Sequence, residues 1–254
     1  MRLEGDIIQD LSSPHTANRV FLFQSKRHGK IIKKEFGQSS HFKRAVEALK
    51  VVNRSLHPAV YKIDMRRQCL YMSYNPRITE PESMDACAAD LMKQLHTSTT
   101  RYGGVSDPGT GQVFSSWKEY FRKRGSAAVE SLKGAGDFKN SFEARMEKLK
   151  EAPFAPVSYI HRDVRPDNIG ERNGRYLLLD FEHAMVGDPY WDVARYVFES
   201  AESKEQFFRL YGIEDKVRAD IYVWLFALDY ASFFIRRKQT DNPAFDKCLA
   251  FLNG

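Results

Sequence analysis

The spacing of hydrophobic residues changes partway along the chain. In the first seventy-odd residues, short runs rich in β-branched and aromatic side chains are separated by polar turns, which is typical of strands. Four such runs predict strands: 19–23, 29–33, 59–63 and 69–73. Between the second and the third run, apolar residues recur at helical spacing after Ser40, which stands where an N-cap is expected. This part of the chain therefore predicts a small sheet and one helix.

The second part of the chain has mostly helical spacing. Residues 84–96 predict one amphipathic helix and residues 116–150 predict two more. The apolar run 221–235 is too short to span a bilayer and contains an acid, so it predicts a buried core helix. The stretch 157–180 is the only strand-like one in this part. The Gly- and Pro-rich stretch 103–112 is expected to be a surface connection, with a substrate-side lid as the alternative.

One dipeptide marks the boundary between these two parts. Asn75-Pro76 is the strongest turn signal in the chain and follows a strand-like run. We therefore expect an α+β, bilobal architecture. A small β-rich N-lobe with one helix, residues 1–74, would be joined by a hinge to a larger and mostly helical C-lobe, residues 75–254.

Composition excludes several classes of protein. The chain has 254 residues, of which 43% are hydrophobic and 28% charged, an ordinary mixture for a globular protein. Its three cysteines are widely spaced and form no CxxC pair, which predicts neither a disulfide framework nor a zinc site. The N-terminus carries acids where a signal peptide needs an apolar core. A cytoplasmic protein without a membrane segment is expected.

The net charge of +6 is unevenly distributed. Residues 19–54 hold ten Lys or Arg against two Glu, a local balance of +8, and residues 180–205 hold seven acids against two bases, a balance of −5. The basic segment suits a polyphosphate, and the acidic one suits metal ions or a cationic substrate. Solvated charged surfaces are the alternative. Because the basic segment lacks interleaved aromatic residues, no nucleic-acid partner is expected.

The residues that carry chemistry cluster in the segment that begins YIHRDVRPDN and continues to DPYWDVA. Within it, Asn173-Gly174 is the signal of a type I′ hairpin turn. Asn168 lies five residues before the turn and Asp180 six residues after it, so both are expected at the open end of one hairpin. Asp163 lies five residues before Asn168, on the loop that leads into the hairpin.

This arrangement suits phosphoryl transfer. That reaction needs metal ligands, charge neutralisation and an orienting base more than covalent chemistry by the protein. The side-chain oxygens of Asn168 and Asp180 are ligands that Mg²⁺ prefers, and the Asp163 carboxylate beside them can receive the proton of a hydroxyl. The alternative is that these three residues only cap turns of the hairpin.

HRDVRPDN followed by LLLDFEHAMVGDPYWDVA resembles the catalytic motifs of the aminoglycoside phosphotransferase and choline kinase superfamily, which is related to the protein kinases. The resemblance extends over nearly the whole chain and implies a bilobal protein-kinase-like fold. It also implies ATP-dependent transfer of the γ-phosphoryl group to a small-molecule hydroxyl. By position, Asp163 is implied to be the catalytic base, and Asn168 and Asp180 to hold Mg²⁺. Asp192 is implied to brace the catalytic loop from the following helix, and His161 is expected to pack internally.

The resemblance also implies nucleotide-binding residues near the N-terminus. Lys33 follows two isoleucines as the nucleotide-binding lysine follows its apolar strand in this superfamily, and Glu47 lies where its partner carboxylate is expected. Lys34 competes with Lys33, because strand alternation puts the two side chains on opposite faces. The alternative for Glu47 is an exposed helical ion pair with Lys43 or Lys50.

Two further segments are expected to contact the nucleotide. No glycine-rich loop is present, and residues 12–18 stand in its place, so Asn18 and its neighbours are expected to offer polar groups to phosphate. The strand-like run CLYMS ends at the hinge. Met72 and Tyr74 are therefore expected to present their backbone to the adenine.

The acceptor is inferred from residues after the metal-binding aspartate. The sequence continues with Phe-Glu rather than Phe-Gly, which resembles choline-kinase-type members and favours a small-molecule kinase over a protein kinase. Glu182, Tyr190 and Trp191 are predicted substrate contacts, because carboxylates and aromatic faces together suit a cationic amino alcohol such as choline, ethanolamine or thiamine. Core packing is the alternative for both aromatic residues. Other hypotheses are an aminoglycoside-type antibiotic phosphotransferase and a non-catalytic nucleotide-binding module. The sequence allows a monomer or a homodimer.

Overall fold

The chain begins with an antiparallel five-stranded sheet. The computed structural model describes residues 5–13, 17–78, 83–97, 105–151 and 158–254. The sheet strands are β1 (Gly5–Asp10), β2 (Arg19–Ser25), β3 (Gly29–Glu35), β4 (Val60–Asp64) and β5 (Cys69–Ser73), in the spatial order β1-β2-β3-β5-β4. Helix α1 (Ser39–Val51) connects β3 to β4. The four predicted strands and the predicted helix are all present, although Gln38 rather than Ser40 stands at the N-cap.

The two faces of this sheet have different neighbours. One face packs on α1 through buried residues that include Phe36, Phe42 and Leu70. The other face holds a separate cluster that includes Phe23 and Ile31. Because side chains alternate along β3, consecutive residues of that strand enter different environments.

Helices dominate the rest of the chain. They are α2 (Met84–His96), α3 (Trp117–Ser131), α4 (Lys139–Glu151), α5 (Tyr190–Glu199), α6 (Lys204–Tyr211), α7 (Lys216–Arg237) and α8 (Pro243–Asn253). The long helix α7 contains the predicted apolar run and packs against α3, α4, α5 and α8. It forms the centre of the largest hydrophobic core. The predictions of one helix over 84–96 and two over 116–150 are confirmed.

Short strands position the catalytic segment between these helices. They are β6 (Val105–Asp107), β7 (Gln112–Phe114), β8 (Ser158–Ile160), β9 (Ile169–Arg172), β10 (Arg175–Leu178) and β11 (Met185–Gly187). Strands β9 and β10 form the predicted hairpin, and the other four form a sheet in the order β7-β6-β11-β8. The expectation that only 157–180 is strand-like was wrong, because β6, β7 and β11 are three-residue strands, too short to show an alternating pattern.

The segment after β5 is attached to the catalytic hairpin. The Asn75 side-chain amide donates a hydrogen bond to the Glu171 carbonyl at 3.2 Å, and the Glu171 N–H donates to the Pro76 carbonyl at 3.0 Å. The structure has no turn at Asn75-Pro76, where one was predicted, and the segment is instead fixed against β9.

The structure also bears on two expectations from composition. In the part of the chain that is described, no helix combines the length and the apolar character needed to cross a bilayer. Cys69, Cys87 and Cys248 are buried free thiols.

Candidate active site

A tight hairpin brings two polar residues together. Asn173 and Gly174 both have positive φ angles, 54° and 73°, as a type I′ turn requires. The pairing of β9 with β10 ends at Ile169 and Leu178, and the Leu179 N–H then donates to the Asn168 carbonyl at 2.8 Å. Asn168 and Asp180 consequently flank the open end of the hairpin, as predicted.

Asp163 lies beside Asn168. The Asn168 amide nitrogen donates to the backbone carbonyl of Asp163 at 2.9 Å and to its Oδ2 at 2.8 Å. On the other side, the Arg195 guanidinium of α5 lies 2.6 Å from Asp163 Oδ1. Both carboxylate oxygens are thus held in a fixed orientation, which is what a base that receives a proton from a positioned hydroxyl needs.

Asp192 braces the loop that carries Asp163. Its buried carboxylate accepts hydrogen bonds from the backbone N–H groups of His161 at 2.8 Å and Arg162 at 2.6 Å. His96 of α2 contributes a third contact, with Nε2 3.0 Å from Oδ2. Burial raises the pKa of Asp192, but the hydrogen bond and charge of His96 outweigh burial and hold the pKa below its ordinary value. The predicted bracing role is confirmed.

His161 packs internally, as expected. Its ring is fully buried, and Nε2 lies 2.7 Å from the Leu179 carbonyl. Because a carbonyl only accepts, Nε2 carries the proton, and Nδ1 accepts the Asp163 N–H at 3.2 Å. The imidazole therefore ties the loop before Asp163 to the strand before Asp180.

The lysine that reaches the site is Lys34. Its ammonium lies 2.6 Å from both Asp180 Oδ1 and Glu182 Oε2. Lys33 points to the opposite face of the sheet, where it pairs with Glu35 at 2.5 Å and lies over the Phe21 ring. The prediction that Lys33 is the nucleotide-binding lysine is corrected, because the face of β3 that carries Lys34 packs toward α1 and the catalytic segment.

Lys34, Asp180 and Glu182 affect one another's ionisation because they are in direct contact. Burial opposes the charge on Lys34, but the two carboxylates outweigh burial and raise its pKa. Burial also opposes the charge on Asp180, and Lys34 outweighs it, so the pKa of Asp180 falls to about 2. The pKa of Glu182 is raised by burial and by the neighbouring Asp180 charge. One ammonium thus holds two carboxylates, and Asp180 is the one that stays ionised most readily.

Glu47 is not part of this cluster. It lies on the exposed side of α1 and forms an ion pair with Lys50 at 2.8 Å. The structure therefore supports the alternative of a surface pair. Glu182, which comes from the catalytic segment, occupies the position beside the lysine that Glu47 was expected to fill.

The oxygen atoms at the hairpin fit a magnesium ion. Asn168 uses its amide nitrogen on Asp163, which leaves its side-chain oxygen as an acceptor, and the Lys34 contact engages only Oδ1 of Asp180. Mg²⁺ is commonly held by one or two protein ligands together with phosphates and water. Among the described residues, no three His, Cys, Asp or Glu side chains cluster as a metal site, so the protein would supply only Asn168 and Asp180.

The other expected nucleotide contacts have mixed positions. Asn18 is buried beside the lysine cluster, and its side-chain amide donates to Glu182 and accepts the Gly37 N–H at 3.2 Å. Residues 14–16 of the expected phosphate loop lie outside the described residues. Met72 lies at the end of β5 next to β3, and the exposed Tyr74 follows directly. Their contact with adenine stays a prediction.

None of the three predicted substrate residues is arranged for that role. Glu182 is occupied by Lys34 and Asn18. Trp191 is 3% exposed and packs against the rings of Trp117 and Phe121, which are centred 6.1 and 5.0 Å away.

Tyr190 contributes to the same packing of α5. Its hydroxyl accepts the Glu214 and Asp215 N–H groups at 3.3 and 3.4 Å, and the Arg218 guanidinium lies 4.1 Å from the centre of its ring. The prediction that Tyr190 and Trp191 contact the substrate is therefore corrected. Both are packing residues, because α5 is amphipathic and its apolar face packs against α7.

Arg195 is a site residue that the sequence analysis did not identify. It pairs with Glu199, one helical turn later, at 2.9 Å, as the i,i+4 spacing allows. Its contact with Asp163 was not predicted. Asp192 and Arg195 are three residues apart on α5 and therefore share a face. Because Asp192 was predicted to contact the catalytic loop, its spacing from Arg195 is the sequence signal that could have identified Arg195.

Solved structures of two kinds of small-molecule kinase share this fold. A thermostable mutant of the aminoglycoside phosphotransferase APH(4)-Ia, solved as a ternary complex with AMP-PNP and hygromycin B, is 19% identical. It has a TM-score of 0.73 over 98% of this chain and 94% of its own. A choline/ethanolamine kinase family protein from Mesorhizobium loti is 18% identical, with a TM-score of 0.73 over 99% and 88%. Choline kinase LicA from Streptococcus pneumoniae is 18% identical, with a TM-score of 0.68 over 99% and 93%.

These similarities agree with the resemblance found in the catalytic motifs. No curated protein matches this chain in sequence. The profile of the phosphotransferase enzyme family, however, matches residues 17–222, which include the lysine cluster, the catalytic loop and Asp192. The chain belongs to the phosphotransferase enzyme family and has its protein-kinase-like fold.

Proposed function

We propose that this protein transfers the γ-phosphoryl group of ATP to a hydroxyl group of a small molecule. The observation that supports this most directly is the convergence of Asp163, Asn168 and Asp180 at one hairpin with Lys34 from the sheet. A base, two oxygen donors and a cation are the groups that phosphoryl transfer requires of a protein. The proposal includes a cytoplasmic location, which the three free cysteines favour.

Each of these residues has a separate task. Asp163, oriented by Asn168 and Arg195, would receive the proton of the acceptor hydroxyl. Lys34 would neutralise phosphate charge from the sheet side. Asn168 and Asp180 would hold Mg²⁺, which supplies further neutralisation of the phosphate oxygens when bound. Met72 and Tyr74 are proposed to contact the adenine with their backbone.

The structure weakens the case for a cationic amino alcohol as acceptor. That hypothesis relied on Glu182, Tyr190 and Trp191, which are committed to Lys34 or to helix packing. The acidic stretch after Asp180 is also internally used, since Asp188 accepts from the Tyr222 hydroxyl at 2.9 Å. An aminoglycoside acceptor remains the second candidate because APH(4)-Ia, solved in complex with hygromycin B, shares the fold.

The test combines nucleotide binding with turnover. ATP consumption is measured with a panel of amino alcohols, sugars, aminoglycosides and hydroxy acids, and nucleotide binding is measured by calorimetry. Replacing Asp163 with Ala should lower turnover on the best acceptor by about 10²–10⁴-fold, because the base is lost, while nucleotide affinity stays close to that of the parent protein.

Two results would contradict the proposal. If the Asp163→Ala variant turned over the acceptor at the rate of the parent protein, Asp163 would not be the base. A parent protein that does not bind ATP in the presence of Mg²⁺ would remove the phosphotransferase assignment itself. Tyr176→Ala, a change at an exposed position of β10, serves as a control that should leave both measurements unchanged.

A further inference from the structure

Arg162, the residue before the proposed base, has an unusual backbone conformation. Its φ angle is 65°, in the left-handed region that glycine adopts freely and that costs other residues energy. Its N–H is fixed by Asp192 at 2.6 Å, so the conformation belongs to the braced loop. This position thus carries a long charged side chain, although a glycine would adopt the same φ angle without strain. Such outliers concentrate at functional sites.

The guanidinium of Arg162 also lacks a counter-ion among the described residues. In the described part of the chain, no carboxylate lies within ion-pair distance of it, and its buried Nε donates to no acceptor there. Its two arginine neighbours differ in this respect. Arg44 is paired with Asp107 at 2.7 Å, and Arg124 is paired with Asp229 at 2.9 Å. Among the side chains that the structure describes, these three guanidinium groups thus share two carboxylates, and Arg162 is the one without an ion pair.

A buried charge without a partner is unfavourable. Burial lowers the pKa of Arg162, and the charges of Arg124 and Arg44 lower it further, although Tyr120 and Asp229 act in the opposite direction. An anion placed at this guanidinium would remove the imbalance. Among the described residues, the fold therefore lacks one negative charge at the residue next to Asp163.

The position of Arg162 indicates which molecule brings that anion. Its guanidinium lies 5.9 Å from the centre of the Tyr120 ring on α3, and Arg124 lies 5.6 Å from the same ring. Asp229, which acts on its charge, belongs to α7. Lys34, the proposed phosphate contact, approaches from the sheet instead. Arg162 therefore faces helices of the second part of the chain.

The chain itself links Arg162 to the proposed base. Arg162 directly precedes Asp163, and the N–H groups of His161 and Arg162 are held by Asp192 at 2.8 and 2.6 Å. The Arg162 side chain therefore leaves the loop next to the proposed base, and its guanidinium lies toward the Tyr120 ring of α3.

We propose that Arg162 binds an anionic group, a carboxylate or a phosphate, of the hydroxyl-bearing acceptor. This inference rests on the proposed phosphotransferase function and specifies the substrate class of the same site. An acidic hydroxy compound would place its anion at Arg162 and its hydroxyl at Asp163. Two acids of this region are not available to a cationic acceptor, because Arg124 engages both oxygens of Asp229 and Arg195 engages Glu199.

The first experiment measures anion binding with sulfate as the probe. Sulfate is titrated at constant ionic strength, with AMP-PNP and Mg²⁺ present to fill the nucleotide phosphate positions, and Tm is recorded. The parent protein should be stabilised by sulfate, and Arg162→Ala should weaken sulfate binding about tenfold or more. Arg162→Lys should retain part of the response. Arg209→Ala, at an exposed position of α6, should respond like the parent.

Three outcomes would overturn the inference. The first is that sulfate stabilises neither protein, and the second is that it stabilises Arg162→Ala as well as the parent. A response that disappears whenever AMP-PNP is bound would assign the anion to the nucleotide phosphates. A parent that fails to bind AMP-PNP would contradict the phosphotransferase proposal alone, since the titration without nucleotide still reports on Arg162.

The second experiment uses acceptors. Hydroxy acids and sugar phosphates are compared with ethanolamine, choline and neutral sugars as acceptors for ATP. Turnover is expected with an anionic acceptor, and Arg162→Ala should raise KM for that acceptor at least about tenfold while KM for ATP stays within a factor of two. Turnover restricted to cationic or neutral acceptors, with KM unchanged in Arg162→Ala, would exclude the anionic class.

Discussion

Lys34 holds two carboxylates with one ammonium group. The lysine is 8% exposed and lies 2.6 Å from both Asp180 and Glu182. Its neighbour Lys33 has a single partner on the other face of the sheet, Glu35. The two residues have the same charge and adjacent positions, so a comparison of their variants separates a role in the site from a general effect of positive charge.

We expect Lys34→Met to weaken ATP binding about tenfold or more, because a charge-assisted contact to phosphate is lost. Lys33→Met should change ATP affinity less than twofold. Calorimetric titration with ATP and Mg²⁺ measures both. An equal loss of ATP affinity in the two variants would contradict a specific role of Lys34 in nucleotide binding.

The strain at Arg162 leads to a prediction about stability. Replacing Arg162 with Gly relieves the left-handed backbone and removes a guanidinium whose buried Nε has no acceptor among the described residues, so the free energy of unfolding should rise by about 1 kcal/mol. Arg162→Ala removes the charge but keeps the backbone strain, so its free energy of unfolding should rise by less than that of Arg162→Gly. Urea denaturation of both variants measures the difference. If Arg162→Gly is no more stable than Arg162→Ala, the left-handed backbone is not strained, and if both are less stable than the parent, the side chain has a structural role.

At the level of elements, α5 and the catalytic loop are joined through Asp192. This carboxylate, at the first turn of α5, accepts from two consecutive backbone N–H groups of the loop and contacts His96 of α2. Three elements therefore depend on one buried acid. Arg195, one turn further along α5, extends the same joint to Asp163.

Asp192→Asn should cost about 2–3 kcal/mol of unfolding free energy, because hydrogen bonds to a charged acceptor are lost and buried donors are left unpaired. The pKa of Asp192 is lowered in the folded protein. Its contribution is therefore present above the ordinary pKa of an aspartate and is lost as pH falls through the folded value. Parent and variant should differ at neutral pH and converge in acid, as measured by urea denaturation at several pH values. A constant difference across this range would contradict the ionised state of Asp192.

At the level of the whole molecule, α1 is tied to the hairpin formed by β6 and β7. Arg44 of α1 contacts Asp107 of β6 through two hydrogen bonds of 2.7 and 2.8 Å, and both side chains are largely buried. Burial raises the pKa of Asp107, but Arg44 outweighs burial and lowers it. The stretch expected to be a surface connection therefore includes a hairpin that binds the helix next to Lys34.

A double-mutant cycle of Arg44→Met and Asp107→Asn should give a coupling energy of about 1–3 kcal/mol, because the pair is largely excluded from water. The exposed pair Glu47–Lys50 on the same helix is the matched control. Its cycle should give at most about 0.5 kcal/mol. Denaturant unfolding measures all variants, and similar coupling in the two cycles would show that the hairpin does not hold α1.

Local features of this protein were determined by its sequence. The turn at Asn173-Gly174 follows from backbone preferences of those two residues, and it fixes Asn168 and Asp180 at one end of a hairpin. The predicted bounds of α2 and β5 agree with the structure because each has a strong pattern and clear ends. The motif spacing likewise placed Asp192 against the catalytic loop.

Tertiary structure alone decided which residues meet across long separations. Alternation on β3 showed that Lys33 and Lys34 face opposite ways, but only packing against α1 and the catalytic segment determined that Lys34 reaches Asp180, 146 residues later. The same packing placed Glu182, rather than Glu47, beside the lysine and buried Trp191 in the core. A pattern in sequence reports the period of an element, and the partner of each face depends on how all elements assemble.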